Sequence, residues 1–105
     1  VDAALAAAIA LTVVEPTSNG LGSDAFALVW TGEHLHGING SGRSPAAWTP
    51  SRFAGREKMP EMGWDAVTVP GCVSAWAALA QRYAKLPFEA HFEAAIRYEQ
   101  AARAA

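Results

Sequence analysis

EPTSNGLGSDAFALVW, from Glu15 to Trp30, changes character twice over a short span. Glu15-Pro16 ends whatever precedes it, because a residue followed by proline is pushed out of the helical region. Thr17 to Asp24 is polar and glycine-rich, and Gly20 and Gly22 permit a sharp turn. Ala25 to Trp30 then predicts a buried strand, since it is a short unbroken apolar run next to turn residues. Upstream, Ala3 to Val14 is almost entirely Ala, Leu, Ile and Val, which predicts a helix about 18 Å long. Being apolar on every side, that helix calls for cover on several sides. Downstream, Thr31-Gly32-Glu33 predicts a hairpin turn into a second strand, His34 to Ile38. There Leu35 and Gly37 share one face and His34, His36 and Ile38 the other.

The rest of the chain follows from the same signals. NGSGRSP, Asn39 to Pro45, is a second glycine and serine loop, leading to a short helical piece around Ala46 to Trp48. Thr49 to Asp65 carries Pro50, Gly55, Pro60 and Gly63 and predicts an irregular, exposed connection, a length more often functional or mobile than accidental. Ala66 to Val69 reads as a short β-type run. Pro70 suits a helix start, with Val73, Ala77 and Ala80 on one side, Trp76, Leu79 and Tyr83 nearby, and Pro87 as the stop. Phe88 to Ala105 predicts a further helix, with Phe92, Ala95, Ile96 and Glu99 at helical spacing. The fold class is therefore α+β: helix, glycine loop, β-hairpin, then helices.

Composition narrows the function. At 105 residues the chain supports one small core at most. Its 51% hydrophobic and 17% charged residues suit a piece of a larger core. Eight Lys and Arg against ten Asp and Glu, without blocks, leave no footprint for nucleic acid. No apolar run is long enough for a membrane span. The start Val1-Asp2-Ala3, without Met, predicts a natural chain that begins upstream. Cys72, the single cysteine, excludes an intrachain disulfide and reads as a buried, inert thiol.

Candidate chemistry is sparse. His34 and His36 on one strand face would suit two metal ligands, but spacing fixes no third, so an outer polar hairpin face is the better reading and no metal or cofactor is expected. His91, among Glu89, Phe92 and Glu93, reads as a surface residue. None of Ser18, Ser23, Ser41, Ser44 and Ser74 lies in a G-x-S-x-G elbow. GLGSDAF precedes a strand, whereas a dinucleotide loop opens a helix. Trp30, Trp48, Trp64 and Trp76 read as core or loop anchors. Arg43 is the only charge between Glu33 and Arg52, in a loop whose glycines allow close approach. Its planar donor fork suits a carboxylate. On these residues alone a solvated loop arginine is favoured, with Asp24 as an ion-pair partner or a turn cap.

VDAALAAAIALTVVEPTSNGLGSDAFALVW, NGSGRSPAAW and AVTVPGCVSAWAALAQRYAKLPFEAHFEAAIRY together resemble the early large-subunit region of the gamma-glutamyltranspeptidase family. The order VDAA, VVEP, S-x-G-x-G, G-R-x-P and VPG carries the resemblance up to Tyr98. It implies a fragment of an N-terminal-nucleophile hydrolase with an αββα sandwich, and a partial large-subunit region over residues 1–105. It also implies self-cleavage of a precursor, and a small-subunit threonine that passes a gamma-glutamyl group to water or an amine. No catalytic residue is expected within this chain. Arg43 falls on the arginine that grips the substrate alpha-carboxylate, which tips the balance towards the functional reading.

The implied partners are a small-molecule gamma-glutamyl substrate, the remainder of the large subunit and the small subunit, with a homo-oligomer left open. Gly22-Ser23-Asp24 stands where many members run glycines, a variant of a leaderless branch that favours a cytoplasmic location. Tyr98 runs directly into Glu99-Gln100, where the family has a glycine-containing break, so residues are expected to be absent between Tyr98 and Glu99. The rival readings are an amide acylase of cephalosporin-acylase type and a non-catalytic interaction domain derived from the family.

Overall fold

The computed structural model describes residues 1–104. The order is α1 (Asp2–Val14), β1 (Ala25–Trp30), β2 (Leu35–Gly40), α2 (Cys72–Tyr83) and α3 (Glu93–Ala104), with 3-10 turns at Pro50–Phe53, Trp64–Ala66 and Phe88–Phe92. The fold is α+β, as the residue pattern predicts. Helix and first strand fall where the sequence puts them. Glu15, past the end of α1, donates its N–H to the Leu11 carbonyl at 2.9 Å. Its carboxylate accepts from the Thr17 hydroxyl and, at 2.6 Å, from the Asn19 amide. Those bonds hold the Glu15 carboxyl below its ordinary range.

β1 and β2 pair antiparallel from Ala25 with Gly40 to Trp30 with Leu35. The second strand thus begins and ends later than His34 to Ile38. The cause is the turn: Thr31 and His34 close it through the Thr31 N–H on the His34 carbonyl, at 3.1 Å. Gly32 supplies the positive φ of 102°. The helices lie on one face of this hairpin, giving a flat body of 48 × 46 × 18 Å. Leu5 and Ile9 of α1, Cys72, Trp76 and Leu79 of α2 and Ala95 of α3 form the core.

Alternation decides what is covered. Ala25, Ala27 and Val29 face the helices, whereas Phe26, Leu28 and Trp30 are 68%, 76% and 64% exposed, so β1 is covered on one face only. The same half-cover holds for α1, whose Leu11 and Val14 stay open because the described residues supply neighbours on one side alone. His36 shares the helix-facing side with Ile38 and sits 5.6 Å from the Tyr83 ring, ring centre to ring centre. The histidine face is therefore not the outer face of the hairpin. Only His34 is exposed.

The structure decides which apolar row of α2 is buried, and two further expectations need correction. α2 buries Cys72, Ala75, Trp76 and Leu79 and leaves Val73 and Ala77 exposed. Its phase is set at the start, where the Cys72 N–H donates to the Ser23 carbonyl at 3.0 Å. Ala46 to Trp48 is a turn closed from the Trp48 N–H to the Pro45 carbonyl, not a helix. Ala66 to Val69 joins no sheet among the described residues, and Val69 instead donates its N–H to the Arg43 carbonyl at 2.9 Å. Thr49 to Asp65 is irregular and largely exposed, as predicted, apart from its short 3-10 turns. α3 begins at Glu93 after the Phe88–Phe92 turn and runs through Tyr98 and Glu99 without a break; Ala105 of the predicted helix lies outside the described residues.

His91 departs most from its surface reading, being 1% exposed. Its Nδ1 lies 3.0 Å from the Phe88 carbonyl and its Nε2 3.0 Å from Asp2 Oδ1. Asp2 also accepts the Leu86 N–H at 3.0 Å and the Lys85 N–H at 3.1 Å. One carboxylate thus ties the first turn of α1 to the chain entering α3. The Leu86 and Lys85 N–H groups, then His91, hold the Asp2 carboxyl far below the ordinary carboxylate range.

Two outcomes follow for the full-length protein. His91→Leu, which strands the Asp2 carboxylate against an apolar side chain, is expected to cost about 1–3 kcal/mol in chemical denaturation. A carboxyl with a folded pKa below its unfolded one stabilises above the unfolded value, about 3.9, and stops doing so as pH falls through the folded value. The melting-temperature gap between wild type and Asp2→Asn should therefore be full at neutral pH and shrink below about pH 4. A gap that widens on acidification contradicts the clamp.

Candidate functional site

Two pieces of backbone meet more closely than side chains permit. A Cβ on Gly71 would stand 2.3 Å from the Gly40 carbonyl oxygen and 2.6 Å from the Gly42 nitrogen. On Gly42, whose φ is +76°, it would stand 1.9 Å from the Val69 oxygen. Only glycine fits either position. Around this contact the Val69 N–H binds the Arg43 carbonyl, and Thr68 Oγ1 donates to the Ser41 carbonyl at 3.2 Å. The Ser41 N–H in turn donates to Asn39 Oδ1 at 3.0 Å. The loop that bears Arg43 is thus pinned on both sides of the arginine.

The result is an open cleft of about 580 Å³ between the end of β2 and the start of α2. Its lining includes Asn39, Ser41, Arg43, Pro70 and Ser74, with glycine backbone between them. Gly40, Gly42 and Gly71 present backbone to the cleft between those side chains. Arg43 is exposed, and among the described residues no ion pair occupies it. Asp24 is therefore not its partner. The N-terminal end of α2 lies on the same cleft and contributes partial positive charge of the same sign. The arrangement suits an anion, and a carboxylate matches the guanidinium fork.

Other candidates separate from this cleft. The rings of His34 and His36 lie 6.3 Å apart, centre to centre, and among the described residues no group of three His, Cys, Asp or Glu can hold a metal. Cys72 is buried, and burial pushes its thiol up, consistent with an inert role. No described helix is long and apolar enough to cross a membrane.

Ser23 has a use that its reading as a rejected nucleophile did not reveal. Its hydroxyl donates to the Gly20 carbonyl at 2.6 Å, while its own carbonyl receives the Cys72 N–H. The serine of GSDAF therefore locks the first glycine loop onto α2. The Asp2 to His91 pair was also missed, because 89 positions separate its members. Helical spacing gives no signal at that range.

The chain is similar to known proteins in sequence and in fold. The profile of the family described as gamma-glutamyltranspeptidase matches residues 1–101. The glutathione hydrolase-like YwrD proenzyme of Bacillus subtilis (strain 168) is 39% identical over 94% of this chain and 19% of its own length. The oxamate amidohydrolase proenzyme of Klebsiella pneumoniae is 40% identical over 72% of this chain and 15% of its own length. Among solved structures, the gamma-glutamyltranspeptidase of Helicobacter pylori superposes with a TM-score of 0.78 at 26% identity, covering 91% of this chain and 29% of its own. The chain belongs to the gamma-glutamyltranspeptidase family. It spans about a fifth or less of the length of the curated relatives it matches.

Gly42→Ala and Gly71→Ala should each cost about 2 kcal/mol or more in denaturant unfolding of the full-length protein. Gly22→Ala has no heavy atom within 4 Å of the added carbon and serves as the control. It should stay within about 0.5 kcal/mol of wild type.

Proposed function

We propose that this chain is the early part of the large subunit of a gamma-glutamyltransferase or gamma-glutamyl hydrolase. In this reading the complete protein is an αββα sandwich that processes itself, and a threonine outside residues 1–105 attacks the gamma-glutamyl amide. The threonine oxygen forms an ester with the acyl carbon, the C–N bond breaks, the amine leaves with a proton, and water or a second amine then takes the acyl group. Residues 1–105 contribute no nucleophile. They contribute Arg43, which holds the substrate alpha-carboxylate, and the layer that positions it.

The observation that carries this reading is Arg43, without an ion-pair partner among the described residues, on a cleft whose floor is glycine backbone. The names of the relatives agree with amide chemistry on small carboxylated substrates. The bare apolar face of Phe26, Leu28 and Trp30 is what a sandwich needs, since a second layer must cover it. The Klebsiella relative favours a second reading, an amide hydrolase with another acyl group, in which Arg43 grips the carboxylate of a shorter acid. Donor profiling separates the two.

Arg43→Ala in the full-length enzyme should raise KM or lower kcat/KM by about 10- to 100-fold, as expected for losing a charge-assisted bond of about 1.5–3 kcal/mol. Unchanged kinetics with a gamma-glutamyl donor would remove Arg43 from the site. Intact-mass analysis with N-terminal sequencing of the undigested protein should show a second polypeptide that begins with Thr. Sequencing of the complete gene shows whether residues intervene between Tyr98 and Glu99.

A further inference from the structure

Among the described residues the Arg43 side chain has no ion-pair partner, so no charge at its own side chain orients the guanidinium for a ligand. The main chain behind it is held instead. Ser41 commits both of its backbone groups to side chains. Its N–H donates to Asn39 Oδ1 at 3.0 Å, and its carbonyl accepts from Thr68 Oγ1 at 3.2 Å. The first bond is a local turn, whereas the second reaches across 27 positions of sequence. Beyond Ser41, Gly42 lies against the Val69 carbonyl and the Arg43 carbonyl accepts the Val69 N–H at 2.9 Å.

Neither Asn39 nor Thr68 belongs to the apolar core or to the side chains packed against it. Their bonds converge on the two residues that precede Arg43. An arginine gives up rotamer freedom when it grips a carboxylate with both arms of its fork, and a wandering Cα would add to that cost. We propose that Asn39 and Thr68 are positioning residues for Arg43: they hold the two main-chain groups of Ser41 and thereby fix the Cα from which the guanidinium reaches a substrate carboxylate. This rests on the reading of that cleft as the substrate site. Because both act through a group that holds the acid end of the substrate, their loss falls on KM and not on kcat.

The test uses the full-length processed enzyme with glutathione as donor. Thr68→Val keeps the shape of the side chain and removes the hydroxyl; it should raise KM about three- to tenfold, with kcat changed by less than about twofold. Asn39→Ala tests the other bond independently and should do the same. Thr68→Ser retains the hydroxyl, and Asn39→Ser offers an oxygen to the same N–H, so each should recover most of the loss. In an Arg43→Ala background, Thr68→Val and Asn39→Ala should have no further effect on kcat/KM, since a residue that acts through Arg43 then has nothing to position. An equal loss in both backgrounds overturns the positioning and leaves the site standing. A lowered melting temperature of both variants at unchanged KM also overturns it, because the two bonds then serve the fold alone. If wild type does not turn over glutathione, or Arg43→Ala leaves its kinetics unchanged, the reading of the cleft fails and the positioning fails with it.

Discussion

Everything in this fold is registered from the contact of Gly71 with the backbone of Gly40 and Gly42. Because a Cβ there would stand 2.3 Å from a carbonyl oxygen, the end of β2 and the entrance to α2 lie closer than side chains allow. That approach fixes where α2 starts, and the bond from Cys72 to the Ser23 carbonyl fixes its rotation. Ala75 then meets the place where Gly40 lacks a side chain, at 2.6 Å from where its Cβ would be. The hairpin, both glycine loops and the core face of α2 are thereby set by one region. The Arg43 loop inherits its position from the same contact and not from any bond of its own side chain.

The Asp2 carboxylate performs the corresponding task at the far side. Hydrophobic burial between α1 and α3 is non-directional and leaves their relative register loose. A carboxylate with three donors from Lys85, Leu86 and His91 is directional, and it sits at the positive end of α1 where negative charge is favoured. His91 can be buried only because both ring nitrogens have partners, since an unsatisfied polar group at that depth costs about 1–3 kcal/mol. Apolar packing supplies the attraction and this clamp supplies the alignment.

Local signals were legible and non-local ones were not. Pro16 ended α1, Ala25 to Trp30 formed the strand named from its run of apolar residues, and the α+β order emerged complete. Which side of α2 is buried was not legible, because the row Val73, Ala77, Ala80 is as apolar as Ala75, Trp76, Leu79; the bond to Ser23 chooses between them. His36 lies on the helix-facing side and His34 stands exposed before β2; strand alternation says which residues share a face, and not which face meets a helix or where the strand begins. His91 looked exposed among glutamates because its partner lies at the other end of the chain. Arg43 stood out by isolation and glycine neighbours, yet the cleft around it depends on Pro70 and Gly71, which only the fold brings near.

The uncovered face links this architecture to the proposed chemistry. Phe26, Leu28, Trp30 and Leu35 occupy the side of the hairpin away from the helices, and Asn39 ends that side immediately before the Arg43 loop. The remainder of the protein, on the proposed reading, supplies a layer over this exposed apolar face. On the proposed reading that layer meets this one along the rim of the Arg43 cleft. Residues from outside the chain then arrive beside the bound carboxylate without any element of this chain having to reach across. A binding arginine and a nucleophile on separate pieces are a natural outcome of such a division: one layer fixes the acid end of the substrate, and the other carries the group that attacks.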